Sequence, residues 1–227
     1  MINKELVAKL QNVANNYKTV YMWGVFGSPV TEALIIAKTK QYPSWYTATK
    51  QAALRSLIGK GYFGFDCVNL IKGILWGWNG DQLKSNGGAA YNTNGVPDVS
   101  ANGMLTKLID VSSDFSKIEV GEAVWIDGHI GVYIGNGKVI ECTPSWSNNV
   151  QVTACLNIGS ISGLNGRRWT KHGKLPYITY VKDDVPEYIK ILKSKVDSPD
   201  AWIKFIDDNK NHPTGKWLPD LIVKVSK

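Results

Sequence analysis

The spacing of apolar residues changes twice along this chain, from helical to alternating and back to helical. Residues 3–17 place Leu6, Leu10, Val13 and Tyr17 on one side of a helix. Residues 19–24, Thr-Val-Tyr-Met-Trp-Gly, read either as a plain short buried segment closed by a glycine or as one that places Tyr21 and Trp23 beside a cleft. Ser28 as cap with Pro29 in the first turn predicts a helix to about residue 38, and Pro43-Ser44 a second to about residue 58, stopped by Gly59. For these two helices a lid, a specificity wall and plain packing are all open. Gly61 and Gly64 predict a sharp turn before Asp66, after which Val68, Ile71, Leu75 and Trp78 recur at helical spacing. Residues 79–103, rich in Gly, Asn, Ser and Asp, predict a long loop region of the kind that binds ligands, and Tyr91 within it is a candidate substrate contact.

Alternation begins at Ala123. Ala-Val-Trp-Ile predicts one strand, Asp127-Gly128 a break, residues 129–134 a second strand and residues 138–142 a third. The turn between the last two decides which side chains share a face. A two-residue loop at Asn136-Gly137 pairs Tyr133 with Ile140 and puts Glu141 opposite the His129 face. A three-residue loop over 135–137, with Gly137 left-handed, pairs Tyr133 with Val139 and Gly131 with Glu141, making His129 and Glu141 diagonal neighbours. The second register also leaves Ile130, Val132, Ile134, Ile140 and Cys142 on one uniformly apolar face, and it is the one expected. Gly131 leaves room between the imidazole and the carboxylate. Beyond lie Trp146, a candidate substrate contact, a strand near 150–154, and Arg167-Arg168, which read as a solvated basic patch with carboxylate binding as the alternative. Residues 171–178 suggest a final strand, with His172 in a Lys-His-Gly turn, and the main domain is expected to end near Val181. Residues 183–227 are helical again: one helix through Tyr188, Ile191 and Leu192, a second begun by Ser198-Pro199, and a third segment over 217–225. A tail of this size has little core of its own, so it either docks on the main domain or forms a small wall-binding unit.

Cys67 opens the helix after Asp66. There a thiol faces unpaired backbone N–H groups and the positive end of the helix dipole, which favour thiolate and suit an oxyanion. A buried apolar cysteine with Asp66 as an ordinary cap explains this stretch equally well. Cysteine hydrolysis needs a thiolate, an imidazole and a polar group that orients the imidazole. Cys67, His129 and Glu141 supply all three, and of three histidines only His129 lies on a strand between glycines.

Composition narrows the setting. A net charge of +7 and a pI near 9.2 point to an acidic partner: nucleic acid, an anionic membrane or an anionic wall polymer. The three cysteines do not all pair, and no Cys-x-x-Cys or His-rich cluster suggests a metal; no cofactor is expected. The N-terminus lacks the apolar run of a signal peptide and no stretch is long enough to span a membrane, so the expectation is a chain made in the cytoplasm.

Phe65-Asp66-Cys67-Val68-Asn69-Leu70-Ile71, Gly128-His129-Ile130-Gly131-Val132-Tyr133-Ile134-Gly135-Asn136-Gly137 and Val139-Ile140-Glu141-Cys142 resemble the NlpC-type cell-wall cysteine peptidases. The likeness covers about residues 20–180, leaves out a helical insertion at about 28–60, and looks most like the phage endolysin branch. It implies an α+β, papain-like catalytic domain over residues 1–181, with nucleophile-bearing helices packed on an antiparallel sheet, and a helical tail over 182–227. It also implies hydrolysis of a peptidoglycan stem-peptide amide for bacterial cell lysis, with Cys67 as nucleophile, His129 as base and acid, and Glu141 as the orienting group. Tyr21 matches the family's cleft tyrosine. Many members have histidine in place of Glu141. Many also have Asp-Cys-Ser-Gly, whose aspartate and serine hold a free substrate amine; here Asp66 remains but Val68 and Asn69 follow Cys67. The implied partners are bacterial peptidoglycan and anionic wall polymers rather than nucleic acid or membrane, met by a monomer at the cell wall after release or export. An N-acetylmuramoyl-L-alanine amidase on the same site, a non-catalytic wall-binding module, and acyl transfer remain as alternatives.

Overall fold

Helix α1 (Asn3–Asn16) buries Leu6, Leu10 and Val13. Its last turn leads into β1 (Lys18–Tyr21), whose burial begins at Thr19. A computed structural model describes residues 1–181, 187–209 and 212–225. By its internal contacts the chain divides into two units, Met1–Val181 and Lys182–Lys227, and its class is α+β.

In the first unit, β1 pairs in parallel with β3 (Tyr62–Phe65), which pairs antiparallel on its other side with β2 (Phe26–Pro29). Two expectations fail here. Ser28-Pro29 is strand rather than helix start: Pro29 lies opposite Phe63 on an edge strand, where a missing N–H removes no ladder bond needed by a further neighbour. The helix α2 (Glu32–Gln41) is capped instead by Thr31, which accepts from the Leu34 N–H. Nor does Gly64 turn the chain; it sits in the central strand, where a Cβ would come within 2.6 Å of the Met22 sulfur. The next helix, α3 (Ala48–Arg55), is capped by Thr47 and is shorter than the span predicted from Pro43-Ser44.

Helix α4 (Cys67–Leu75) follows β3 directly, with Asp66 as its cap. All nine of its residues are buried, so it is a core helix with no solvent face. It packs on β2, on β6 (His129–Gly135) and on β7 (Lys138–Thr143). The segment before β6 contributes a short helix α5 (Ala101–Leu105), β4 (Ile109–Ser112) and β5 (Ala123–Ile126). With β8 (Asn149–Cys155), β9 (Gly166–Arg167) and β10 (Lys171–Lys174) these strands form a curled sheet of seven, in the order β4-β10-β5-β6-β7-β8-β9. All of its pairs are antiparallel except β8 with β9. His172, expected in a turn, lies buried in β10, where its Nδ1 meets the Glu122 carboxylate and its Nε2 lies 3.1 Å from the Asp114 carbonyl.

The β6–β7 hairpin has the expected pairing by a different route. Tyr133 faces Val139, but Gly135 then faces Lys138, so the loop is the two residues Asn136-Gly137 and the extra residue is a bulge at Ile134. Gly135, Asn136 and Gly137 all have positive φ, at 90°, 51° and 69°. The bulge supplies the one-residue shift that a two-residue turn alone withholds.

The second unit holds α6 (Glu187–Lys195), α7 (Pro199–Asn209) and α8 (Pro213–Val225), each packed on the other two, with Leu192 and Ile206 buried. The opening residues of the expected tail, 182–186, lie outside the described ones.

Candidate active site

The shift at Ile134 sorts the hairpin into two chemically different faces. Ile130, Val132, Ile140 and Cys142 are fully buried in the core that holds α4. On the other face, His129 Nε2 lies 2.6 Å from Glu141 Oε2. Gly131 sits between them in register; a Cβ there would meet Val139 Cγ1 at 2.8 Å and Glu141 Cβ at 3.3 Å. An ionised carboxylate only accepts hydrogen bonds, so in this pair Nε2 carries the proton and Nδ1 is left as the basic nitrogen.

Glu141 is fully buried and held from three more directions. Thr153, on β8, donates to Oε1 at 2.6 Å, Arg167 Nε donates to Oε1 at 3.2 Å, and Arg167 Nη2 lies 2.9 Å from Oε2. Burial pushes the carboxyl pKa up, but His129, Arg167 and Thr153 together hold it below its ordinary value. Arg167 is therefore a carboxylate binder inside the protein, not part of a solvated patch. It also stacks over the rings of Trp146 and Trp169, and Trp169 lies nearly parallel to the His129 imidazole, 5.6 Å away and 14° off plane. The ring is thus fixed by a hydrogen bond at one edge and an indole on one face.

Asn102, on α5, accepts from the Gly128 N–H and from Trp125 Nε1, and donates to Asp127. It locks the turn from which His129 emerges.

Cys67 is the first residue of α4. Its sulfur meets the backbone N–H groups of Ile130, Val68 and Cys67 itself, which places the thiol against the strand residue next to His129. These donors lower the thiol pKa, as a helix N-terminus should. Burial and the neighbouring Asp66 outweigh them and push it up to about 12, so the resting sulfur is a thiol rather than the thiolate that the helix position alone implies. Asp66 explains part of this. Its carboxylate is buried and accepts from the N–H groups of Asn69 and Gly24 and from the Asn69 side-chain amide, at 2.8, 2.8 and 2.7 Å.

Cys67 opens onto a cleft of about 580 Å³. Tyr21, Trp23, Asp66 and Tyr91 line it as well, together with Lys38, Gln41 and Tyr42 from the end of α2 and with Lys72, Asp98, Asn102 and Gly128; of the three expected catalytic residues only Cys67 is in this lining, and His129 follows directly on Gly128. Tyr21 is buried beside Cys67, Trp23 is exposed, and Tyr91 is exposed with its hydroxyl on Asp98 at 2.8 Å. Trp146 stands apart from the cleft lining, under Arg167. Thr153, Asn102 and Trp169 were not anticipated. Thr153 shares the sheet face of Glu141, and the pairing rule that joins His129 to Glu141 reaches it through the Glu141–Gln151 pair. Arg167 and Trp169 arrive by a long loop that no local pattern places.

Among the described residues no group of three or more His, Cys, Asp or Glu side chains is placed to hold a metal ion, and no helix is long and apolar enough to cross a membrane. The chain matches no protein-family model and no curated protein sequence.

Proposed function

We propose that the first unit is a cysteine hydrolase of the NlpC type, with a papain-like catalytic arrangement, that cleaves an amide of the peptidoglycan stem peptide in the course of bacterial cell lysis. One observation carries the reading: a helix-N-terminal cysteine in a cleft has its sulfur on the N–H of Ile130, next in sequence to a histidine whose Nε2 is bonded to a buried carboxylate. Because the resting thiol is neutral, its proton leaves as the attack begins, taken by His129 Nδ1. The sulfur then adds to the amide carbonyl carbon, and the N–H groups at the start of α4 face the developing oxyanion. His129 returns the proton to the leaving amine, giving a thioester. Water, losing a proton to His129, hydrolyses the thioester to a carboxylate and restores the thiol. Glu141 keeps the proton on Nε2 and steadies the imidazolium.

Gram-positive peptidoglycan digested by the wild type and by Cys67→Ala tests this, with mass spectrometry of the products and labelling of new amines. New amines from the wild type alone support it, and fragment masses separate endopeptidase from N-acetylmuramoyl-L-alanine amidase. A second reading, a non-catalytic wall-binding module, draws on the exposed Trp202, Phe205 and Trp217 of the second unit. It takes the lead if both proteins sediment with the wall and neither releases fragments.

A further inference from the structure

The cleft is lined by charged as well as aromatic side chains. Two of its lining residues are lysines, and they differ in what they touch. Lys72 is buried and neutralised, with its Nζ on Asp98 and on the Val99 carbonyl at 2.8 Å. Lys38, in the last turn of α2, has its Nζ 3.0 Å from the neutral Gln41 Oε1 and 5.6 Å from the Tyr42 ring centre. The two carboxylates of the lining are both engaged elsewhere. Asp98 takes Lys72 and the Tyr91 hydroxyl, and Asp66 takes three N–H donors from Gly24 and Asn69.

The position of Lys38 relative to the sulfur follows from contacts. The Tyr42 ring lies directly on Gly24, whose absent Cβ would come within 2.4 Å of Cε2. The Gly24 N–H in turn caps Asp66, the residue before Cys67. The ammonium therefore stands one aromatic ring and one backbone turn from the nucleophile. It is partly desolvated there, which lowers its pKa against the opposing pull of Asp66 and Asp98. A cation so placed, with an amide oxygen and a ring as its contacts, gains most from a ligand that brings a negative charge.

We propose that Lys38 is a specificity residue that binds a free carboxylate of the substrate beside the scissile amide. The cleft then selects stem peptides in which that carboxylate is free over those in which it is amidated. This rests on the hydrolase reading above. Gln41 orients the ammonium, and the Tyr42 face excludes water from one side of it.

The test uses one pair of stem peptides differing only in a free or amidated glutamyl α-carboxyl. Cleavage is measured with the full-length wild type, and binding with Cys67→Ala by calorimetry. The expected result is a preference of about tenfold or more for the free acid, carried by KM and by Kd. Lys38→Met reduces that ratio to about one without changing the melting temperature, and Lys38→Arg retains most of it. Equal cleavage of the two peptides by the wild type, or a preference that survives in Lys38→Met, overturns the subsite while leaving the hydrolase reading intact. Selective binding of the acid to Cys67→Ala with no cleavage by the wild type keeps the subsite and overturns the hydrolase.

Discussion

Arg167 is the residue whose removal says most about how the site is held. Glu141 has no solvent exposure, and Arg167, 20% exposed, contacts both of its oxygens. Replacement by Met keeps the aliphatic stem against Trp146 and Trp169 and removes the charge. Stripping one partner from a buried ion pair typically costs about 3–5 kcal/mol. His129 and Thr153 remain on Glu141, so the low end, about 3 kcal/mol, is expected for Arg167→Met. For a protein of this size that lowers Tm by about 6–12 °C at pH 7. The pH dependence follows from the direction of the Glu141 shift. Its folded pKa lies below the ordinary 4.5, so its stabilisation is fully present above the unfolded value and is lost as pH falls through the folded one. Without Arg167 the folded pKa rises, so Arg167→Met loses this stabilisation at a higher pH, and under the proposed function the acid limb of hydrolysis moves up with it. Thermal melts between pH 3 and pH 8 on the wild type, Arg167→Met, Glu141→Gln and the double variant give the coupling directly. Coupling of about 2 kcal/mol at pH 7 is expected. Additivity within about 0.5 kcal/mol would show that Arg167 does not act through Glu141.

The Cys67 thiol, pushed up to about 12, reacts slowly with iodoacetamide at pH 7, and its rate still climbs at pH 10 when followed by peptide mass spectrometry; a plateau below pH 8 would mean that the helix N-terminus outweighs burial. Gly131→Ala puts a methyl 2.8 Å from Val139 Cγ1 and 3.0 Å from the Ile140 carbonyl, so it costs about 1–3 kcal/mol by chemical denaturation and parts His129 from Glu141, with hydrolysis falling further than the folded fraction. An unaltered denaturation midpoint and unaltered hydrolysis would remove Gly131 from the argument.

Much of the β6–β7 hairpin was legible because it is local. Residues 123–143 alternate cleanly, the breaks at Asp127-Gly128 and Asn136-Gly137 are turn sequences, and requiring one apolar face chose the register that joins His129 to Glu141. The same rule chose the face but not the means, since a bulge at Ile134 rather than a longer loop supplies the shift. The start of α4 was legible from Asp66 and the apolar spacing after it. Where the reading failed, a local signal met a distant neighbour. Ser28-Pro29 has the chemistry of a helix start, but β3 offered an edge to pair with. Gly64 has the freedom to turn, but Met22 needed its missing side chain. His172 looked like a turn residue until Glu122, fifty positions earlier, met it in the core. The sequence by itself determined which residues share a strand face and where the Cys67 helix begins, since both depend on bonds between near neighbours. Only the tertiary structure decided that Arg167 and Trp169 flank the His129–Glu141 pair, that Cys67 rests as a thiol, and that Lys38 faces the cleft. Burial and long-range electrostatics depend on what the fold brings from elsewhere, and no pattern within one segment encodes it.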